Sequence, residues 1–268
     1  MRTVPEGHAI HRLARDHAAL IKDAPVTLSS PQGRFVEGAE LLSGRRVEGI
    51  DPYGKHLFYA FEGDLLLHVH LGLYGKFTTG FGPPPAIKGA LRLRMTAGKA
   101  WLDLRGPTAC ELFHPEQKAL VLARLGPDPL RGDADPERAW VRLSRSKAPI
   151  GQLLMDQAVL AGVGNVYRAE VLFRAGINPF LPGHDVRRPT WDPLWEDIRT
   201  LMRAGVRAGR IITTVPQDRD RVEGVVDQTD AHYVYRRTGF PCRRCGTEVR
   251  TQIMAGRNLF WCPTCQPA

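Results

Sequence analysis

Residues 242–265 read CRRCGTEVRTQIMAGRNLFWCPTC, and this stretch decides how the C-terminal part of the chain must fold. Cys242 and Cys245 make one C-x2-C pair, Cys262 and Cys265 a second, and 16 residues lie between the pairs. Each pair can close a tight knuckle presenting two thiolates, and two knuckles together complete a tetrahedral four-sulfur site for one Zn2+. With four protein ligands no coordination position stays open, so such an ion is structural rather than catalytic. The intervening residues alternate well enough for two strands, with the turn at Ala255–Gly256–Arg257–Asn258. Arg257 then stands at a hairpin tip. There it can reach a phosphate, although a solvated turn arginine fits the same pattern.

Cys110, the fifth cysteine, stands alone, while the other four crowd into the last 27 residues. A disulfide scaffold would spread its cysteines along the chain, so the clustering points to metal. Lys and Arg number 37 against 28 Asp and Glu, a net charge of +9. Such a surplus suits a polyanionic partner, because neutralised phosphates release condensed counterions. No stretch approaches the roughly 18 to 20 apolar residues of a membrane span. The opening MRTVPEGH lacks the apolar run of a signal peptide. The expectation is an intracellular, cytoplasmic protein that is soluble, monomeric and without a membrane partner.

Upstream of the cysteines, residues 150–179 read IGQLLMDQAVLAGVGNVYRAEVLFRAGINP. Apolar residues at three- and four-residue steps predict a helix over Ile150–Leu160 and a second over Asn165–Ala175. The turn Ala161–Gly162–Val163–Gly164 separates them. Asn165 opens the second helix, where unpaired N–H groups and the positive dipole end suit a phosphate. A routine Asn cap between packed helices is the competing reading. Further helices are expected over Leu120–Leu125, Pro136–Leu143 and Pro193–Ala208. Residues 214–231 carry few large apolar side chains and read as a flexible connector.

The first half has a different texture. Residues 5–22 show helical periodicity, with Thr3 placed to cap the helix and Pro5 suited to its first turn. Short strands are expected at Arg46–Ile50, His56–Phe61, Leu65–His70, Ala90–Met95 and Ala100–Leu104. Glycines and the Pro83–Pro84–Pro85 run punctuate them, which reads as a sandwich or barrel. The H-x-H of His68 and His70 reads as hydrogen-bonded histidines rather than a metal site. The fold class is therefore α+β and multidomain. The divisions expected are 1–118 for the helix plus β-sandwich, 119–213 for the helical domain, 214–231 for the connector and 232–268 for the zinc finger.

Six segments occur in order: PEGH at the start, GKHLF at 54–58, HLGLYG at 70–75, LGPDPL at 125–130, LLMDQAVLAGVGNVYRAEVLF at 153–173 and GRNLFWCPTCQ at 256–266. Together they closely resemble the formamidopyrimidine-DNA glycosylase/endonuclease VIII family, and most of all its actinobacterial endonuclease VIII-type branch. The resemblance implies a helix plus β-sandwich, a helix–two-turn–helix domain and a zinc-finger hairpin, with damaged DNA (duplex, bubble or single-stranded) in the cleft between the halves. It implies a base-excision-repair glycosylase that also cuts at the abasic site.

Carried onto matching positions, the resemblance implies that Pro5 is the nucleophile. Glu6 is the acid that protonates the sugar ring oxygen, and it needs a raised pKa and hence partial burial. Lys55 and Arg257 complete the implied catalytic set beside phosphate, with Arg124 and Asn165 on the DNA backbone. Gly72, Leu73 and Tyr74 form the loop that fills the hole left by the extruded nucleotide. The endonuclease VIII type has Gln-Leu-Tyr there, so Gly72 removes an amide, while Leu73 and Tyr74 tilt the reading toward oxidised pyrimidines. Glu170 matches an acidic family position with a supporting structural role.

One departure bears on the chemistry. The family nucleophile is an N-terminal amine, whereas Met1–Arg2–Thr3–Val4 precede Pro5 here. An internal proline nitrogen is a tertiary amide with no nucleophilic lone pair. The expectation is that translation starts at position 4 and the initiator is removed. If the extension stays, the alternative is a non-catalytic module that binds damaged DNA. A zinc-ribbon RNA or ribosome-associated protein fits the charge but not PEGH, GK and the wedge loop together.

Overall fold

The computed structural model describes residues 5–221 and 224–268. The expected start at Val4 and the Thr3 cap lie outside the described residues. The chain divides into two compact units, 1–124 and 125–268.

The first unit runs α1 (Gly7–Ile21), β1 (Thr27–Ser29), α2 (Val36–Leu42), β2 (Val47–Tyr53), β3 (His56–Phe61), β4 (Leu65–His70), β5 (Lys76–Phe81), β6 (Leu91–Ala97), β7 (Ala100–Arg105), β8 (Ala109–Phe113) and α3 (Pro115–Ala123). Its strands form two four-stranded antiparallel sheets, ordered β1-β6-β7-β5 and β2-β3-β4-β8. They make the expected β-sandwich. The core follows from period-two alternation. Leu57, Tyr59, Leu67 and Val69 from one sheet join Leu93, Met95, Leu102 and Leu104 from the other. Helix α1 adds Ile10, Ala14 and Ile21, an apolar stripe at helical spacing. The opposite face of β3 and β4 carries an aromatic ladder in which Phe58, His68 and Phe113 stack. Lys118 of α3 lies over the Phe58 ring and pairs with Asp51 at 2.7 Å.

The second unit contains α4 (Pro136–Leu143), α5 (Ile150–Leu153), α6 (Asn165–Arg174), α7 (Arg188–Ala208) and the antiparallel hairpin β9 (Arg250–Met254) with β10 (Arg257–Trp261). One apolar core runs through the helices and the cysteine module. Val166, Tyr167 and Phe173 of α6 share it with Trp191, Ile198 and Met202 of α7, and with Val249, Phe260, Cys242 and Cys262. Every residue from Val166 to Phe173 is buried, so α6 is enclosed on all sides.

Several elements differ from the expected ones. The helix over Ile150–Leu160 stops at Leu153 because side chains take over the backbone bonding. Asp156 accepts from Ala158 N at 2.9 Å. The Gln157 amide donates to Met155 O and Val163 O and accepts from Gly162 N, knitting a two-turn loop. Helix α7 starts at Arg188 rather than Pro193, since Pro189 already occupies its first turn. Helix α3 spans Pro115–Ala123 rather than Leu120–Leu125, capped by a reciprocal His114–Gln117 box. Residues 214–231 hold no strand or α-helix among those described, but they are tied at both ends. Thr214 Oγ1 donates to Asp230 O, and Asp230 pairs with Arg243 at 2.8 Å. No helix among the described residues is long and apolar enough to cross a membrane.

Candidate functional site

The first unit carries Pro5, Glu6, Lys55, the loop at 72–74 and Arg124. Glu6 is the N-cap of α1, so Pro5 sits one residue before the cap rather than in the first turn. Pro5 is half-buried, and Glu6 is 2% exposed. The Glu6 carbonyl accepts from Ala9 N at 2.9 Å, closing the first turn without a side-chain cap. A carboxyl group is thereby held in a largely water-free setting directly beside the proline.

Lys55 follows Gly54 in the two-residue turn that joins β2 to β3, where Tyr53 pairs with His56. The positive φ of Gly54, 58°, is the backbone such a tight hairpin requires. Next to Lys55 runs a histidine ladder that the sequence showed only as H-x-H. His56 Nδ1 is 2.9 Å from His68 Nε2, and His68 Nδ1 is 3.1 Å from Glu111 Oε2. His56 is pushed down to about 3, first by burial, then by His70, His68, Arg124 and Lys55. Burial also lowers His68 and His70. These imidazoles stay neutral while the charges of Lys55 and Arg124 converge on them. Neutral polar rings between two cations can orient donors toward an anion without adding a fixed charge of their own.

The loop 71–75 leaves β4 and enters β5, closed by Gly75 N donating to Leu71 O at 2.9 Å. It exposes Leu73 at 42% and Tyr74 at 78%. Two large apolar side chains held outward on a short loop are unusual for a structural turn and suited to insertion between bases.

The second unit carries Asn165, Arg257 and the four cysteines. Asn165 is the first residue of α6, and its Nδ2 donates to Asn258 O at 2.9 Å. Arg257 opens β10 opposite Met254 and is exposed beside the turn Ala255–Gly256. The structure therefore brings Asn165 to the turn end of the hairpin that presents Arg257. The sequence did not single out Arg168, which lies between them. Its only signal was its position three residues after Asn165, on the same helical face. Glu170 is fully buried. Its carboxylate accepts the backbone N–H of Tyr233, Val234 and Tyr235 at 2.8, 2.9 and 2.8 Å, together with the Thr213 hydroxyl.

All four cysteine sulfurs lie within 4.8 Å of one another. Cys242 Sγ is 3.8 Å from Cys265 Sγ, and Cys245 Sγ is 3.4 Å from Cys262 Sγ. Zn–S bonds of about 2.3 Å put the sulfurs of a tetrahedron roughly 3.8 Å apart, so the four side chains fit one Zn2+. The ion would bind the two knuckles into the core that α6 and α7 share.

Comparison with known proteins matches three families along the chain. Residues 4–110 match the formamidopyrimidine-DNA glycosylase N-terminal domain, residues 125–217 its H2TH domain, and residues 239–268 the zinc finger found in FPG and IleRS. The chain is 49% identical to Endonuclease 8 1 of Mycobacterium tuberculosis, over 98% of this chain and all of the relative. It is 35% identical to formamidopyrimidine-DNA glycosylase of Thermus thermophilus, over 84% of each. A solved structure of MutM in complex with DNA containing carbocyclic 8-oxo-G superposes with a TM-score of 0.82. That structure is 25% identical to the chain, with 98% of this chain and all of that one covered.

Proposed function

The chain belongs to the formamidopyrimidine-DNA glycosylase/endonuclease VIII family of DNA glycosylases, and from that premise we propose that it excises oxidised pyrimidines from damaged DNA and then cuts the strand as a lyase. The observation that carries this reading is the burial of Glu6 directly beside Pro5. The nitrogen of an N-terminal Pro5 attacks C1′ of the damaged nucleotide, and the base leaves with the electrons of the glycosidic bond and takes up a proton. Glu6 protonates the ring oxygen, the sugar opens, and a Pro5 iminium remains. A secondary amine gives an iminium with no N–H proton to lose, so the positive charge persists as an electron sink. Loss of the C2′ proton feeds electrons into it and expels the 3′ phosphate. Elimination at the 5′ side follows, leaving a one-nucleotide gap.

In the first unit Lys55 and Arg124 contact DNA phosphate; in the second unit Asn165 and Arg257 do so from α6 and the hairpin. Leu73 and Tyr74 fill the vacated stack. The similarity to an endonuclease 8 over its whole length supports the preference for pyrimidines. The zinc supplies no chemistry; it holds the hairpin from which Arg257 projects. The protein works as a monomer, in the cytoplasm where chromosomal DNA lies.

A second reading rests on the four residues before Pro5. With them attached, Pro5 has an amide nitrogen, and the chain binds damage without cutting. Borohydride trapping on abasic-site DNA separates the two. A chain that begins at Pro5 is expected to form a covalent adduct and one that begins at Met1 to form none. No adduct from either overturns the lyase reading.

A further inference from the structure

Arg168 has 0% exposure, and its guanidinium keeps its charge at any physiological pH. Burying that charge is tolerable only where its N–H groups meet acceptors. Nη1 donates to Gly151 O at 3.4 Å and Met254 O at 3.3 Å. Nη2 donates to Asn258 O at 3.3 Å and to the side-chain oxygen of Asn165. These acceptors come from three places: the start of α5, the start of α6, and both strands of the zinc hairpin. A side chain on Gly151 would come within 3.0 Å of Met254 Sδ, so glycine there permits the close approach of α5 and hairpin that the guanidinium bridges.

Two things follow from the geometry. A guanidinium only donates, so Asn165 must turn Oδ1 toward it, which settles which way the amide faces. The NH2 of Asn165 then gives one hydrogen to Asn258 O and has a second for a phosphate oxygen. In addition, Met254 ends β9 and Asn258 follows Arg257 in β10. Arg168 thus holds both strands of the turn from which Arg257 projects.

We propose that Arg168 is a positioning residue for the phosphate grip, setting both the amide orientation of Asn165 and the placement of Arg257. The inference rests on the reading of those two residues as DNA contacts. Arg168 itself is too buried to touch DNA, so it acts through them.

The test uses the full chain beginning at Pro5, as Arg168→Met, Arg168→Lys, Arg257→Ala and the double variant Arg168→Met/Arg257→Ala. Measured are the ratio of δ- to β-elimination products on abasic-site duplex, DNA affinity across a salt series, zinc content and melting. Arg168→Met is expected to weaken DNA binding about tenfold or more and to shift products toward β-elimination as Arg257→Ala does. The salt slope of log K should fall by about one to two phosphates. In the δ- to β-elimination ratio, which reads the Arg257 contact, the double variant should be within about twofold of Arg257→Ala alone, while in affinity it should lose only the further share that Asn165 carries. Arg168→Lys keeps the charge but cannot hold both strands, so it should show the same product shift even where Arg168→Met does not fold. Unchanged products in the lysine variant, or product shifts that multiply in the double variant, overturn the proposal. If Arg257→Ala alone alters neither binding nor elimination, the underlying reading of the hairpin fails, and the proposal with it.

Discussion

A Cβ placed on Gly72 would lie 1.8 Å from Thr108 Oγ1 and 3.0 Å from Thr108 Cβ, and the Gly72 backbone has φ +64°. Position 72 therefore does not simply accommodate a glutamine. The hydroxyl can rotate away, but the left-handed backbone costs an ordinary side chain about 1 to 2 kcal/mol. Gly72→Gln is expected to lower stability by about that amount and to weaken binding to a lesion duplex. Urea denaturation and duplex affinity check it. Thr108→Gly in the same chain should recover only the steric part.

Glu170→Gln tests the buried carboxylate. Three backbone N–H groups point at its two oxygens. Glutamine turns one acceptor into a donor facing those donors, and each buried polar group left unmet costs about 1 to 3 kcal/mol. The expected result is a destabilisation of about 2 to 4 kcal/mol in urea, with lost amide-exchange protection at Tyr233–Tyr235. Wild-type protection there would contradict the arrangement.

Zinc removal should reach well beyond the hairpin, because Cys242 and Cys262 belong to the core shared with α6 and α7. Treatment with a chelator is expected to lower the melting temperature by more than about 5 °C and abolish DNA binding, since a structural zinc contributes on the order of 10 kcal/mol to a small module. Thiol counting should then find four newly reactive cysteines. Cys110, whose thiol burial pushes up to about 12, should stay unreactive until the sandwich unfolds.

The first unit should lose stability in mild acid. Burial pushes His8 and His17 down to about 4 and His56 to about 3, against 6.5 for an ordinary histidine. Between those values the unfolded chain takes up protons that the folded chain refuses, so unfolding becomes easier as pH falls from about 6.5 toward 4. Each buried histidine contributes up to about 1.4 kcal/mol per pH unit, with a smaller share from His56, which water partly reaches. Above pH 7 the contribution is flat. Urea midpoints across pH check the trend, and His17→Gln should reduce the proton uptake by one.

What the sequence revealed depended on how local the cause was. Strands β3 and β4 were legible at their observed limits because short aromatic and aliphatic runs sit there between glycines. The paired C-x2-C knuckles were legible because four thiolates at that spacing have few other uses. Strand β1 has three residues, too few to show a period; α2, at seven residues, is no longer than two turns. The helix past Leu153 was misread because its apolar spacing is genuine while Asp156 and Gln157 divert the backbone bonds. Glu6, Lys55, Asn165 and Arg257 are singled out only through resemblance, since each alone looks like an ordinary surface or cap residue. Arg168 escaped notice for a related reason: an arginine on a helix reads as solvated until the acceptors arriving from 86 and 90 residues away are seen.

Asn165, Arg168 and Glu170 stand within about one and a half turns of one enclosed helix, and each side chain fastens a stretch that arrives from far along the chain. Every residue of α-helix rotates the next by about 100°. Inserting or deleting one residue between Asn165 and Glu170 would swing all later side chains off their partners together, stranding a charge on each side. Exposed loops can lengthen or shorten at little cost, but α6 cannot. Its length is the gauge that sets Asn165 and Arg168 against the hairpin and Glu170 against the Tyr233–Tyr235 backbone.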